Sequence, residues 1–311
     1  MHRSIEPTIG KADQQQQRTI GFFGLGSMGL PMAFHLASSG CVVRGFDINE
    51  IARSRFTEAG GESCVTAVEA ASGATVIVLM VVNIKQAYEV LFDAAALSSS
   101  VEDCIVILMS TCPPGDVEAL AKSVHATGRR FLDAPVSGGV AGALKASLSI
   151  MVAGEKQAFD QCHEFFNVLG SKVYYLGEQP GNASVAKAVN QLLCGVHLAA
   201  AAEALSLAER AGLDTETVLE IVSGSAAASW MLTDRGKRML DTDPEVTSAV
   251  DIFVKDLGIV LSAGSSAKAA LPLASIAHQF FLATSGQGAG AADDSQVIRA
   301  YRRMSSGNRE E

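Results

Sequence analysis

The sequence has little that would staple a fold, span a bilayer or grip a polyanion. Its six cysteines, Cys41, Cys64, Cys104, Cys112, Cys162 and Cys194, form no C-x-x-C pair, and most lie in apolar runs. They read as reduced, buried thiols of a cytosolic, cytoplasmic protein rather than as a disulfide framework. The six histidines show no H-x-x-x-H or H-E-x-x-H spacing, so no metal site is expected. Basic excess is missing as well. A formal net charge of −9 argues against nucleic acid and against an anionic membrane, both of which call for a positive surface. The longest strongly apolar run, Ala74–Val82, is far too short to cross a bilayer. Met1–Arg18 lacks the apolar centre of a signal peptide and holds the glutamine run Gln14–Gln17; a disordered tail is expected there.

Aromatic residues are only 6% of the chain, yet hydrophobic residues reach 48% against 18% charged. The core material is therefore alanine, valine, leucine and isoleucine. A length of 311 residues suggests two domains. The mean hydropathy of +0.25 is high, which points to a subunit interface covering part of the apolar surface.

Thr19–Phe23 reads as a short buried strand running into Gly24-Leu25-Gly26-Ser27-Met28-Gly29 and then a helix over Leu30–Ser39. This is G-x-G-x-x-G between strand and helix, the setting in which that motif binds a dinucleotide. The first glycine makes the tight turn, the second lets backbone approach a pyrophosphate, and the third lets helix pack on strand. A second strand, Cys41–Phe46, ends at Asp47, about 20 residues past the loop, where a ribose hydroxyl partner is expected. A carboxylate there repels a 2′-phosphate, so NAD is favoured over NADP. Asp47 also reads as the N-cap of a helix over Glu50–Thr57.

Alternation continues with strands at Ala74–Val82, Asp103–Met109 and Arg130–Ala134 and helices at Ile84–Phe92 and Pro114–Thr127. It implies a parallel sheet with helices on both faces and ligands beyond the carboxyl ends of the strands. Val82, Asn83, Ser110, Thr111 and Pro135–Gly139 stand at those ends. Ser110 and Thr111 suit either a nicotinamide contact or a cap before Pro113-Pro114. Ser137-Gly138-Gly139 suits either an anion cradle or a flexible turn. Strands at Ser147–Ala153 and Lys172–Leu176, joined by a helix over Lys156–Leu169, complete this half, and Gly177–Gly181 marks its end.

The rest reads as helical. Asn182–Arg210 has no proline and one internal glycine, and as one helix it would run about 40 Å. Apolar residues cover most of its circumference. Lys187, Asn190 and Gln191 share one face of it. Two readings stand for Lys187: a buried amine whose pKa falls until it accepts protons near neutrality, or a lysine that snorkels to water. Further helices are expected at Glu216–Ser223, Met231–Leu240, from Ser248 through about Ala267, at Leu273–Thr284 and at Asp293–Arg303. Lys255 suits an ion pair with Asp251 or Asp256, and Trp230 a core position.

Four motifs stand in order: GLGSMG, DAPVSGG, the K-x-x-N of Lys187–Asn190, and Phe253-Val254-Lys255-Asp256-Leu257. Together they resemble the β-hydroxyacid dehydrogenases, of which 3-hydroxyisobutyrate dehydrogenase is the familiar member, across residues 19–303. The resemblance implies an α/β fold: a tail over 1–18, a Rossmann-type NAD-binding domain over 19–181, and an all-helical substrate and oligomerisation domain over 182–311, giving a homodimer or homotetramer. It implies NAD held by Gly24, Leu25, Gly26, Ser27, Met28, Gly29 and Asp47, with Val82, Asn83, Thr111 and Lys255 around its nicotinamide end. Ser137, Gly138 and Gly139 would bind the carboxylate of a small hydroxy acid, with Gln191 and Trp230 also on the substrate. Lys187 would transfer the proton and Asn190 orient its partners. The chain departs from the family pattern at Met109, Asn83, Gln191 and Ala227-Ala228. A non-catalytic dinucleotide sensor remains the reading from another class.

Overall fold

The computed structural model describes residues 18–305. The expected tail, apart from Arg18, and residues 306–311 lie outside that range. Strands and helices alternate as β1 (Thr19–Phe23), α1 (Gly29–Ser38), β2 (Val42–Phe46), α2 (Glu50–Glu58), β3 (Glu62–Ser63), α3 (Ala67–Ala71), β4 (Val76–Leu79), α4 (Ile84–Tyr88), α5 (Ala96–Ser99), β5 (Ile105–Leu108), α6 (Pro114–His125) and β6 (Arg130–Asp133). Then come β7 (Val136–Ser137), α7 (Gly139–Leu144), β8 (Leu148–Gly154), α8 (Lys156–Gln161), α9 (His163–Leu169) and β9 (Gly170–Tyr175). The helical region holds α10 (Asn182–Arg210), α11 (Thr215–Ser223), α12 (Trp230–Leu240), α13 (Val250–Ser266), α14 (Pro272–Thr284) and α15 (Ile298–Ser305).

The sheet forms because its strands are apolar on both faces. Val76, Val78, Ile105 and Ile107 join one core layer, and Ile77, Leu79, Val106 and Leu108 join the other. That is the two-residue period of a strand buried on both sides. The strand order is β3-β2-β1-β4-β5-β6-β8-β7, with β9 on β8. Chain order reverses between β1 and β4, which is where ligands bind on such sheets.

Several local expectations need correction. The sheet is parallel only as far as β6, because β8 runs antiparallel to β6 and to β7. The reversal follows the sharp Pro135–Gly139 passage, where Gly138 and Gly139 have φ of 129° and 60°, a region that glycine enters without strain. That passage leads from β6 through β7 into α7. The helix expected over Lys156–Leu169 breaks at Cys162. The one over Ile84–Phe92 widens into a π turn at Glu89–Asp93. The cap of α2 is Asn49, which accepts from the Ile51 N–H at 2.9 Å, so Asp47 does not serve there.

Helix α10 runs through the helical region, packing on α12, α13 and α14. By length and composition it could cross a membrane, yet 50% of its most apolar window is buried inside the protein. Its start is fixed by the sheet. Asp133, fully buried at the end of β6, accepts from the Gly181 N–H at 3.0 Å, the Ser184 N–H at 2.9 Å and the Ser184 hydroxyl at 2.8 Å. Burial pushes its carboxyl up to about 6, while the bonds from Ser184 and Gly181 pull it back. Above that value a carboxylate faces the positive end of the helix. Ala183 and Ala186 then pack on Met151 and Ala153 of β8. Asp133→Ala would strand three donors, and urea unfolding should show a loss of about 3 kcal/mol; a loss under about 0.5 kcal/mol, the scatter of neutral surface changes, would contradict this anchor.

Candidate active site

The turn after β1 is built around its glycines. Gly24 has φ of 97° and donates to the Phe46 carbonyl at 3.0 Å. A Cβ on Gly24 would meet the Met80 carbonyl oxygen at 2.4 Å, and one on Gly29 the Gly24 oxygen at 1.8 Å. These two are required by the protein's own packing. Gly26 is different: a Cβ there would meet no protein atom within 4 Å. Its surroundings leave room for close approach from outside, and the first turn of α1 has no side-chain cap and no acid. A loop of this kind fits a pyrophosphate on helix N–H groups. Ser27 and Met28 lie between these glycines, at the entrance to α1.

Asp47 accepts from the Leu25 N–H at 2.7 Å and the Asn49 N–H at 2.8 Å. It thereby ties the end of β2 to the glycine loop. The neighbouring arginines are turned to protein acceptors. Arg44 pairs with Glu62 at 3.0 Å, and Arg53 donates to the Asp47 carbonyl at 2.6 Å.

Beyond β4 and β5 the expected residues divide. The Ser110 hydroxyl is buried and donates to the Val81 carbonyl at 2.7 Å, so it neither caps α6 nor faces a ligand. Asn83 caps α4 by accepting from the Gln86 N–H at 3.0 Å. Val82 is exposed, with its N–H on the Gln86 side-chain oxygen. The Val82 and Thr111 carbonyls accept from Lys255 Nζ at 3.4 and 3.3 Å. One ammonium from α13 thus clasps the loops after β4 and β5. Lys255 pairs with Asp256 at 3.0 Å, whereas Asp251 takes the Ser285 hydroxyl at 2.6 Å.

Lys187 does not snorkel. It is 6% exposed, and its Nζ donates to Gln191 Oε1 at 2.8 Å. Asn190 Nδ2 donates to the same oxygen at 2.9 Å, and Gln191 Nε2 donates to Asp256 Oδ2 at 2.5 Å. The result is a string of side chains: Lys187, Gln191, Asp256, Lys255. Loss of hydration holds Lys187 below the ordinary lysine value, with Lys255 adding to the effect and Asp256 and Cys194 opposing it. One amide acceptor suits a neutral amine better than an ammonium, which offers three donors.

Ser137, Gly138 and Gly139 lie at the β7–α7 junction, four residues past Asp133. Asp133 itself holds Ser184, one helical turn before Lys187. No hydrogen bond joins the junction to Lys187; Asp133 precedes the junction in the chain and bonds the start of the Lys187 helix. Trp230 contradicts the core expectation, being 57% exposed. It opens α12 on the outward side, while Met231, Leu232, Gly236 and Met239 face inward. Arg235 stacks over its ring at 5.6 Å and bonds the buried Asp294 at 2.9 Å.

Sequence reasoning missed Asp133 as the anchor of α10, Asp256 as a site carboxylate, and the Arg235–Asp294 and Arg238–Asp293 pairs. The spacing of Gln191 four residues after Lys187 was the available signal for the first link of the string.

Residues 19–177 match the family described as the NAD binding domain of 6-phosphogluconate dehydrogenase. Residues 181–301 match the NAD-binding family of NADP-dependent 3-hydroxyisobutyrate dehydrogenase. An L-threonate dehydrogenase of Cupriavidus necator is 40% identical over 91% of this chain and 96% of its own length. An L-threonate dehydrogenase of Haemophilus influenzae is 36% identical over 93% and 96%. A crystal structure of 3-hydroxyisobutyrate dehydrogenase from Salmonella typhimurium superposes with a TM-score of 0.86 at 37% identity, covering 91% of this chain and 99% of that one.

Gly26→Val separates binding from folding. NADH affinity, read by fluorescence titration, should fall by about tenfold or more, about 1.4 kcal/mol. The urea midpoint should hold, since no protein atom lies within 4 Å of the added Cβ. Unchanged affinity would remove this loop from the dinucleotide site.

Proposed function

The chain belongs to the 3-hydroxyisobutyrate dehydrogenase-like β-hydroxyacid dehydrogenases, which makes it an oxidoreductase with a nicotinamide dinucleotide cofactor, and from that premise we propose that it oxidises L-threonate to 2-dehydro-L-erythronate (2-oxo-tetronate) with NAD. The observation that carries the chemistry is the buried Lys187 amine, bonded to one amide oxygen and held on the α10 face nearest the Lys255 clasp. The substrate is supported by the names of relatives that match this chain nearly end to end. NAD over NADP is supported by the Asp47 carboxylate beside the glycine loop and by the engagement of Arg44 and Arg53 elsewhere.

The residues divide the work. The substrate carboxylate rests on Ser137, Gly138 and Gly139, with the positive-φ backbone of the two glycines suiting an anion cradle. Gly24 to Gly29 and Asp47 hold the dinucleotide, with Val82, Asn83, Thr111 and Lys255 toward its nicotinamide end. Trp230 shields the outer side of the substrate. When bound, NAD supplies the acceptor for the hydride that leaves the carbinol carbon. Lys187, neutral, takes the hydroxyl proton and becomes an ammonium; in the reverse direction that ammonium returns a proton to the new alkoxide. Asn190 fixes the amide oxygen that Lys187 uses. Low local dielectric at the buried amine strengthens each of these contacts.

We also assign a homo-oligomer interface to the helical region. Val185, Val189 and Leu193 form an exposed apolar stripe at four-residue spacing on α10, with Leu207 further along. Light scattering on the intact chain reads the assembly, and a monomer at micromolar concentration contradicts it.

Absorbance at 340 nm with a panel of three- to six-carbon hydroxy acids and both dinucleotides tests the reaction. L-Threonate with NAD should give the highest kcat/KM; 3-hydroxyisobutyrate or glycerate in first place would displace it. Because Lys187 must be neutral to accept a proton, oxidation should rise through an acidic limb lying below the ordinary lysine value of 10.5. Lys187→Ala should lower kcat by about 100- to 10,000-fold and abolish that limb. An alanine variant of near wild-type rate refutes the assignment.

A further inference from the structure

Gln191 stands where the family resemblance puts a substrate contact, and its side chain makes three hydrogen bonds within the protein. Its oxygen accepts from both Lys187 and Asn190, and its nitrogen donates to Asp256. Both lone pairs of the amide oxygen are thereby taken, and one of the two N–H groups is committed to Asp256. Asp256 is 3% exposed and divides its carboxylate. Oδ2 takes the Gln191 bond, and Oδ1 faces the Lys255 ammonium at 3.0 Å as an ion pair, outside good hydrogen-bond geometry. Lys255 in turn holds the Val82 and Thr111 carbonyls, on the loops that end β4 and β5. Donors and acceptors are fixed at each joint: Lys187 donates to Gln191, Gln191 and Lys255 both face the Asp256 carboxylate as donors, and Lys255 donates onward to those loops.

We propose that Gln191 and Asp256 are positioning residues, coupling the dinucleotide side of the site at Lys255 to the direction in which the Lys187 amine points. The inference rests on Lys187 as the proton-transferring group. Seating a dinucleotide against the β4 and β5 loops moves or fixes Lys255, and the Asp256–Gln191 pair passes that constraint to the Lys187 Nζ. The amine is thereby aimed at a substrate hydroxyl only when the hydride acceptor is in place. Asp256 is also the one carboxylate that the two lysines share, Lys255 directly and Lys187 through Gln191. The other groups facing this cluster are Cys194 beside Lys187, Cys112 beside Lys255 and Asp256, and Arg235 beside Cys194.

The polarity of the string gives a test. In Asp256→Asn the new amide presents oxygen to one neighbour and nitrogen to the other, yet both neighbours are donors, so one joint breaks. In the double variant Gln191→Glu with Asp256→Asn, a carboxylate at 191 accepts from Lys187, Asn190 and the new amide, whose oxygen returns to Lys255. Every joint is restored with one direction reversed. Asp256→Asn should lower kcat by about 10- to 100-fold, the scale of a misaimed catalytic group. It should also weaken NADH in a fluorescence titration and move the acidic limb of the pH profile to lower pH. The double variant should recover kcat by about tenfold over the single, beyond additivity, and restore NADH affinity. Gln191→Leu should lower kcat while leaving the KM of the hydroxy acid and NADH affinity in place.

A double variant no better than Asp256→Asn in either measurement overturns the inference. So does a Gln191→Leu enzyme with raised KM and wild-type kcat, which would make Gln191 a substrate ligand. If the wild-type protein oxidises no hydroxy acid in the panel, the proposed reaction falls, and the NADH titrations decide the coupling alone. Weakening in the single variant and recovery in the double supports it, and equal affinities in all three proteins contradict it.

Discussion

Taking an ammonium out of water costs several kilocalories per mole after relaxation, and a protein that buries one must answer the charge or discharge it. Lys187 sits in that position on α10. The Asp256 carboxylate that would answer it lies one amide away and is already paired with Lys255. A site with two lysines and one buried carboxylate is closest to neutral when one of the lysines carries no charge. Lys255, clasping two carbonyls and partly exposed, is the better solvated of the two and is paired directly with that carboxylate. Lys187, with an amide oxygen as its one hydrogen-bond acceptor, is the one pushed toward the neutral form, which is the form the proposed proton transfer requires.

Holding that amine in place calls on both halves of the molecule. The sheet ends β6 with Asp133, which caps α10 and fixes its rotation one turn ahead of Lys187. The helical region supplies α13, whose Lys255 and Asp256 face the sheet and the spine helix at once. Leu257, next in line, packs so closely on Gly195 that a Cβ there would lie 2.8 Å from it. Small residues on α10 therefore set the spacing at which the Gln191–Asp256 bond can form. The reactive end and the packed end of α10 are one construction problem, solved by alanine and glycine on one side and a polar string on the other.

Much of this was legible because it is local. Strand, glycine loop and helix are specified within a dozen residues, and Gly24 and Gly29 carry steric demands that no other residue meets. The apolar strands β4 and β5 and the proline-free α10 likewise declare themselves over short windows. The i, i+3, i+4 grouping of Lys187, Asn190 and Gln191 placed the site on one helical face. What failed to show is what depends on distant partners. Asp133 caps a helix that starts 48 residues later at Gly181, and nothing near it in sequence distinguishes that role from a strand-end acid. Gln191 could be seen facing the site but not bonded to Asp256, 65 residues away. Trp230 was expected in the core because of its size, but its place at the first turn of an amphipathic helix turned it outward. The antiparallel turn of β8 was hidden for a similar reason: strand periodicity does not encode direction.

The protonation state of one amine is the quantity on which this account stands. Carbon-13 labelling of lysine side chains and an NMR titration of the Lys187 signal, assigned by its loss in a Lys187→Met variant, measure it without turnover. The account predicts a midpoint below the ordinary lysine value of 10.5. A midpoint at or above that value would mean that Lys187 is an ammonium at neutral pH, and the proton acceptor would have to be sought elsewhere.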